Sequence, residues 1–115
     1  MDNNCLFCKI AKGEIPSQKV YEDEKVFAFR DINPQAPVHI VIVPKKHING
    51  LNGVSEADDA LLGRIQTAAA KIAESFPEMK NGFRLVNNCG ADAGQTVFHI
   101  HYHLLGGRQF AWPPG

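Results

Sequence analysis

His99-Ile100-His101-Tyr102-His103-Leu104-Leu105 (residues 99–105) alternates imidazoles with apolar and aromatic side chains. Strand side chains point to opposite faces in turn, so a strand here puts the three histidines on one side and Ile100, Tyr102 and Leu104 on the other. A helix, stepping about 100° per residue, would throw His101 away from its neighbours. The strand expectation therefore covers Val97–Leu105. Working outward, Val38–Pro44 (VHIVIVP) is nearly all apolar, the pattern of a central strand covered on both faces. Lys19–Glu22 and Val26–Arg30 are rich in β-branched and aromatic residues with a polar turn between them, and Phe83–Asn87 has the same character.

Two helices complete the chain. Ser55 is an N-cap candidate, and Asp58 completes a capping-box pattern. From Glu56 to Phe76, Leu61, Leu62, Ile65, Ala69, Ile72 and Phe76 recur at helical spacing, and Pro77 ends the run. Cys5–Lys12 predicts a short helix closed by Gly13 and Pro16. Residues 31–37 carry two prolines and read as a loop. The expectation is α+β, one domain over residues 1–115, with one long and one short helix on a meander sheet.

Twelve basic residues balance 12 acidic ones. No chain-wide field draws this protein to nucleic acid or to an anionic membrane, so an anionic substrate must be held by local donors. No stretch approaches the ~20 apolar residues of a membrane span. Met1-Asp2-Asn3-Asn4 lacks a signal peptide's basic start, so a cytoplasmic location is expected. The 3 cysteines, an odd number with one close pair, read as thiols or metal ligands rather than a disulfide framework.

His99 and His103 stand roughly 13 Å apart along a strand. Converging all three imidazoles on one zinc, at about 2.0–2.1 Å each, strains that geometry, although two of them, or one with ligands from elsewhere, remain open. Nucleophilic catalysis fits better. A neutral imidazole attacks through one ring nitrogen when the other N–H is held by an acceptor. The preceding Gly94-Gln95-Thr96-Val97 offers close backbone approach at Gly94, its N–H and the Thr96 hydroxyl, as a phosphate site requires.

HIHYHLL matches the His-φ-His-φ-His-φ-φ signature of the histidine-triad family. The likeness runs through FCKIAKGEIPSQKVYEDEKVFAFRDINPQAPVHIVIVPKKHI (Phe7–Ile48) and NNCGADAGQTVFHIHYHLLGGRQFAWPPG (Asn87–Gly115). The GGRQ-x-x-WPPG ending resembles the branch of histidine triad nucleotide-binding proteins, the purine nucleoside phosphoramidases. The resemblance implies a homodimer, a five-stranded antiparallel sheet in each subunit, and hydrolysis of AMP or GMP phosphoramidates with no cofactor required for catalysis. It makes His101 the nucleophile that forms a nucleotidyl-histidine, flanked by His103 and His99, with His39 as a supporting upstream histidine and Thr96 in the catalytic set. Asn88, Gly94, Thr96 and Val97 fall around the α-phosphate. Asp31 falls at the ribose hydroxyls, a carboxylate facing two donors. Leu6, Phe7, Ile10, Phe29 and Ile32 fall where the purine is sandwiched, and Trp112 matches a tail residue reaching toward the other subunit's site. Thr96 stands where the branch usually has serine, and Leu6 replaces a commonly β-branched residue. Phe110-Ala111 replaces a polar residue before the tail tryptophan.

Cys5-Leu-Phe-Cys8 has the C-x-x-C spacing that lets two thiolates share a zinc, with two more ligands required. In similar bacterial-type family members the histidine after Pro-Lys and the first triad histidine complete a structural site; those positions here are His47 and His99. Rival readings are a purine-nucleotide-binding or scaffolding protein with incidental hydrolysis, a dinucleoside polyphosphate hydrolase, and a zinc-dependent hydrolase. Dinucleoside polyphosphate hydrolases usually lack the WPPG tail. A nucleotidyltransferase of the superfamily typically has glutamine at the position of His103.

Overall fold

A computed structural model of the chain describes residues 4–115. Five strands, β1 (Lys19–Glu22), β2 (Val26–Arg30), β3 (Val38–Pro44), β4 (Phe83–Asn87) and β5 (Tyr102–Gly106), pair antiparallel in the order β1-β2-β3-β5-β4. Every residue of the central β3 is buried, as its unbroken apolar run requires. The register sets Val41 opposite both Phe29 and His103, so these three side chains share one face of the sheet.

The two helices cover opposite faces. Ile65, Ala68, Ala69, Ile72 and Ala73 of α2 (Asp59–Glu74) are buried with Val26, Ala28, Ile40, Ile42, Ile100, Tyr102 and Leu104. On the other side, Phe7 and Ile10 of α1 (Leu6–Ala11) pack with Phe27, Phe29, Val41 and Val43. A helix this short does not persist alone. Burying Phe7 and Ile10 contributes about 2 kcal/mol each, a slender anchor for a whole element.

Both helices form where the sequence predicts them but within shorter limits, Leu6–Ala11 in place of Cys5–Lys12 and Asp59–Glu74 in place of Glu56–Phe76. Ser55 and Asp58 form the capping box, but Glu56–Asp58 winds as a 3-10 turn and α2 ends at Glu74. The last strand is the larger correction: the ladder holds only Tyr102–Gly106, leaving 97–101 outside it. Continuing the register from Ile42 opposite Tyr102 would set Pro44 opposite Ile100, and proline has no N–H for the ladder. The Pro44 carbonyl instead accepts from the His99 ring at 2.8 Å, and the Ile100 N–H donates to the Ile48 carbonyl at 2.6 Å. The segment keeps its in-and-out alternation without sheet pairing. Ile100, Tyr102 and Leu104 enter the α2-side core, whereas His99 and His101 meet Phe7.

Beyond β5 the chain bends at Gly107, with φ +94°, where an added Cβ would lie 2.7 Å from the Pro37 Cβ. Both the left-handed backbone and the contact oppose a side chain. Gly107→Ala is therefore expected to lose about 2 kcal/mol, read as a fall in Tm of roughly 8 °C. A Tm within about 2 °C of wild type would show that the 107 turn adapts freely.

Candidate active site

A cleft of about 430 Å³ opens on the α1 side of the sheet. Leu6, Phe7 and Ile10 line it from α1, Phe29 and Val41 from the sheet, and Asp31 and Ile32 from the segment after β2. Asn88, Gly94, Thr96 and Val97 come from the loop after β4, and His101 and His103 complete the lining. Phe7 stands edge-on to Phe29, with ring centroids 5.7 Å apart, and to His101 at 4.9 Å. Apolar walls with a few convergent polar groups are the usual make-up of a small-molecule site.

Hydrogen bonds fix which ring nitrogens carry protons, because a carbonyl oxygen only accepts and a backbone N–H only donates. His101 Nδ1–H donates to the His99 carbonyl at 2.8 Å, which leaves Nε2 with an unshared pair. The Gln35 N–H donates to His39 Nδ1 at 3.0 Å. His39 Nε2–H then donates to His103 Nδ1 at 2.8 Å, and neutral His103 carries its proton on Nε2. Asp31 Oδ2 lies 3.4 Å from the same His39 nitrogen. The three imidazoles of the motif thus share a side but differ in chemistry.

Burial pushes His103 down to about 4; His101 and His39 add to the shift and Asp31 opposes it. Burial also lowers His39, against the pull of Asp31. A histidine held neutral in the fold contributes stability that is complete above its unfolded value of about 6.5. That stability is lost progressively as pH falls toward the depressed folded value. The Tm is expected to decline from about pH 6.5 to about pH 4, and less steeply in His103→Asn. Parallel slopes for wild type and variant would place the responsible groups elsewhere.

Beside the cleft lies a second cluster. Cys5 Sγ, Cys8 Sγ, His47 Nδ1 and His99 Nδ1 all fall within 4.8 Å of one another. The sulfur–nitrogen separations are 3.3 Å for Cys5–His99, 3.3 Å for Cys8–His47 and 3.5 Å for Cys8–His99. Sulfur and nitrogen donors on a tetrahedral zinc stand about 3.6 Å apart. Each imidazole has its other nitrogen tied back: His99 Nε2–H to Pro44 O at 2.8 Å and His47 Nε2–H to Asn49 Oδ1 at 2.8 Å. Both Nδ1 lone pairs are therefore presented inward, the outer-sphere arrangement that metal-binding histidines use. These four residues fit a tetrahedral cation. Asp31, His39 and His103 also gather within 4.8 Å, but 2.8 Å between the two ring nitrogens is a shared proton's distance. Two nitrogens on one zinc would stand about 3.3 Å apart.

Every position expected around a nucleotide lines the cleft except Trp112, which is 81% exposed with the Arg84 guanidinium 6.0 Å from its ring. Sequence reasoning missed Val41, whose place follows from the register with His103. It also missed Ile15, Pro16, Ser17 and Arg30, which line the same space. Two supporting residues went unmarked. Asn87 Nδ2 donates to the His101 carbonyl at 2.9 Å, taking over where the ladder stops. The buried Gln95 side chain accepts from the Gly90 N–H and donates to the Asn49 and Val97 carbonyls, joining the loop after β4 to the segment that carries His47.

The HIT domain model matches residues 12–110 of the sequence. The chain belongs to the HIT domain family. A HIT family hydrolase from Legionella pneumophila superposes with a TM-score of 0.95 at 55% identity, covering 97% of this chain and 100% of that one. The 14 kDa zinc-binding protein of Zea mays is 51% identical over 117 residues, 99% of this HIT chain and 90% of the maize protein. Adenylylsulfatase HINT1 of Arabidopsis thaliana is 49% identical over 117 residues, 99% of this chain and 78% of the plant protein. Among the described residues no helix is long and apolar enough to cross a membrane.

Proposed function

We propose that this HIT chain hydrolyses purine nucleoside 5′-phosphoramidates to the nucleoside monophosphate and an amine. The observation that carries the reading is His101: Nδ1–H is committed to the His99 carbonyl, so the unshared pair is on Nε2, and the ring lines the cleft. Nε2 attacks the α-phosphorus, the P–N bond breaks, and the leaving nitrogen takes a proton that the Thr96 hydroxyl relays from solvent, departing as a neutral amine. Water then attacks the nucleotidyl-histidine and gives one proton back to solvent, the P–Nε2 bond breaks, and the monophosphate leaves with neutral His101 restored. His103 presents Nε2–H to a phosphoryl oxygen, with His39 holding it in that tautomer. Asn88 and the N–H groups at Gly94 and Val97 bind the same oxygens. Asp31 accepts from the ribose hydroxyls, while Leu6, Phe7, Ile10, Phe29 and Ile32 enclose the base.

The Arabidopsis relative's name favours a second reading, with sulfate in place of the amine as the group that departs when the same intermediate forms. Rates on an adenosine phosphoramidate, adenylyl sulfate and a diadenosine polyphosphate separate these. The first is expected to turn over fastest, and inactivity on all three with retained AMP binding would reduce the chain to a nucleotide-binding protein. Zinc at Cys5, Cys8, His47 and His99 serves in this reading as a structural tie. A dimer accounts for the exposed Trp112 and the outer strand β4, whose Phe83 is also exposed. The tail then belongs beside the partner's cleft, and sedimentation at a monomer's mass would refute it.

A further inference from the structure

The thiols of Cys5 and Cys8 are built into the element that forms one wall of the cleft. Cys5 caps α1, its backbone extended at φ −74° and ψ 115°, and its Sγ accepts from the Cys8 N–H at 3.4 Å. One thiol therefore already lies over the first turn that carries the other. Leu6, Phe7 and Ile10 on this six-residue helix line the cleft, and Phe7 also touches the rings of His99 and His101. Beyond the apolar burial of Phe7 and Ile10, α1 is joined to the sheet side by thiol contacts to His47 and His99. Cys5 is buried and Cys8 half-buried, so an oxidant reaches Cys8 first.

We propose that Cys5 and Cys8 form a peroxide-sensitive latch on α1. The Cys8 thiolate attacks one oxygen of hydrogen peroxide, the O–O bond breaks, and hydroxide leaves, giving a sulfenic acid on Cys8. The Cys5 thiolate then attacks the Cys8 sulfur, the S–O bond breaks, and a second hydroxide leaves. Two thiolates have lost two electrons to one peroxide and form one disulfide across the C-x-x-C. The cluster thereby loses both thiolate donors, and His47 and His99 alone cannot hold a tetrahedral cation. The disulfide closes within α1, so its ties to His47 and His99 are undone, and a helix of this length loosens. The loss of nucleotide affinity that follows rests on the nucleotide reading above; the thiol chemistry and the loosening of α1 do not.

The test uses the reduced, zinc-loaded chain treated with hydrogen peroxide. It follows peptide masses, zinc released to a chromogenic chelator, hydrogen exchange of 6–11, and AMP affinity. The expected result is a Cys5–Cys8 disulfide, one zinc released per chain, α1 amides exchanging at least about tenfold faster, and AMP affinity about tenfold weaker. Thiol reductant plus zinc should restore all four, and Cys89→Ser should respond as wild type does. Failure of the reduced chain to take up zinc, failure of the 5–8 disulfide to form, a response that depends on Cys89, or a disulfide that leaves α1 exchange unchanged would each overturn the latch. If α1 loosens in a chain that binds no AMP even when reduced, the latch stands and the nucleotide reading falls.

Discussion

His101→Ala is expected to lower turnover of an adenosine phosphoramidate by roughly 10⁴-fold while leaving AMP binding within a few-fold of wild type. The asymmetry follows from what each group contributes. In the proposed mechanism, removing the nucleophile removes the covalent route itself, whereas the proposed base and ribose contacts come from Phe7, Ile10, Phe29 and Asp31, of which only Phe7 packs against the His101 ring. His103→Ala, which removes the proposed donor to a phosphoryl oxygen, is expected to lose closer to 10²-fold. Intact-mass analysis of acid-quenched mixtures should find wild type carrying one nucleoside monophosphate and His101→Ala carrying none. A loss of only about tenfold, with no adduct on either protein, would mean that water attacks directly and that His101 merely assists.

Stripping metal from the Cys5–Cys8–His47–His99 cluster is expected to lower Tm by roughly 10–15 °C. A cation bound only by the folded chain stabilises it by about 3–4 kcal/mol when present at several hundred to a thousand times its dissociation constant. Each kcal/mol moves a domain of this size by roughly 4 °C. The expectation is sharpened by the modest apolar burial of α1: Phe7 and Ile10, its two buried side chains, contribute about 4 kcal/mol between them. Differential scanning calorimetry of zinc-loaded and chelated protein, with Cys8→Ser as a third sample, checks it. Melting temperatures within about 2 °C of one another would show that the cluster lives on thiol–imidazole hydrogen bonds alone.

Much of this was legible before any coordinates. The limits of β1, β2, β3 and β4 follow from side-chain character, because each is bounded by turn residues or proline. The last strand was misjudged because alternation reports where side chains point, not whether the backbone finds a partner. Around His99–His101 the backbone partners are the Ile48 carbonyl, which accepts from the Ile100 N–H, and the Asn87 amide, which donates to the His101 carbonyl. The family likeness placed the cleft's walls, since shape depends on residues at fixed positions. The proton positions were not legible. The tautomer of His103 depends on the Gln35 N–H acting through His39, three segments that no local pattern links. Asn87 and Gln95 were invisible for a similar reason: an asparagine ending a strand and a glutamine after a glycine look like ordinary turn residues.

One residue of the motif answers to two neighbours through different parts of itself. His99 offers its ring to the cysteines and its main-chain carbonyl to His101. A carbonyl belongs to every amino acid, so the side chain at 99 can be exchanged without withdrawing the acceptor that orients His101. The first histidine of the signature is thus separable by design. A library at position 99 could be sorted for variants that give up the proposed cation and keep the proposed intermediate, whereas in that mechanism no substitution at 101 keeps the covalent step.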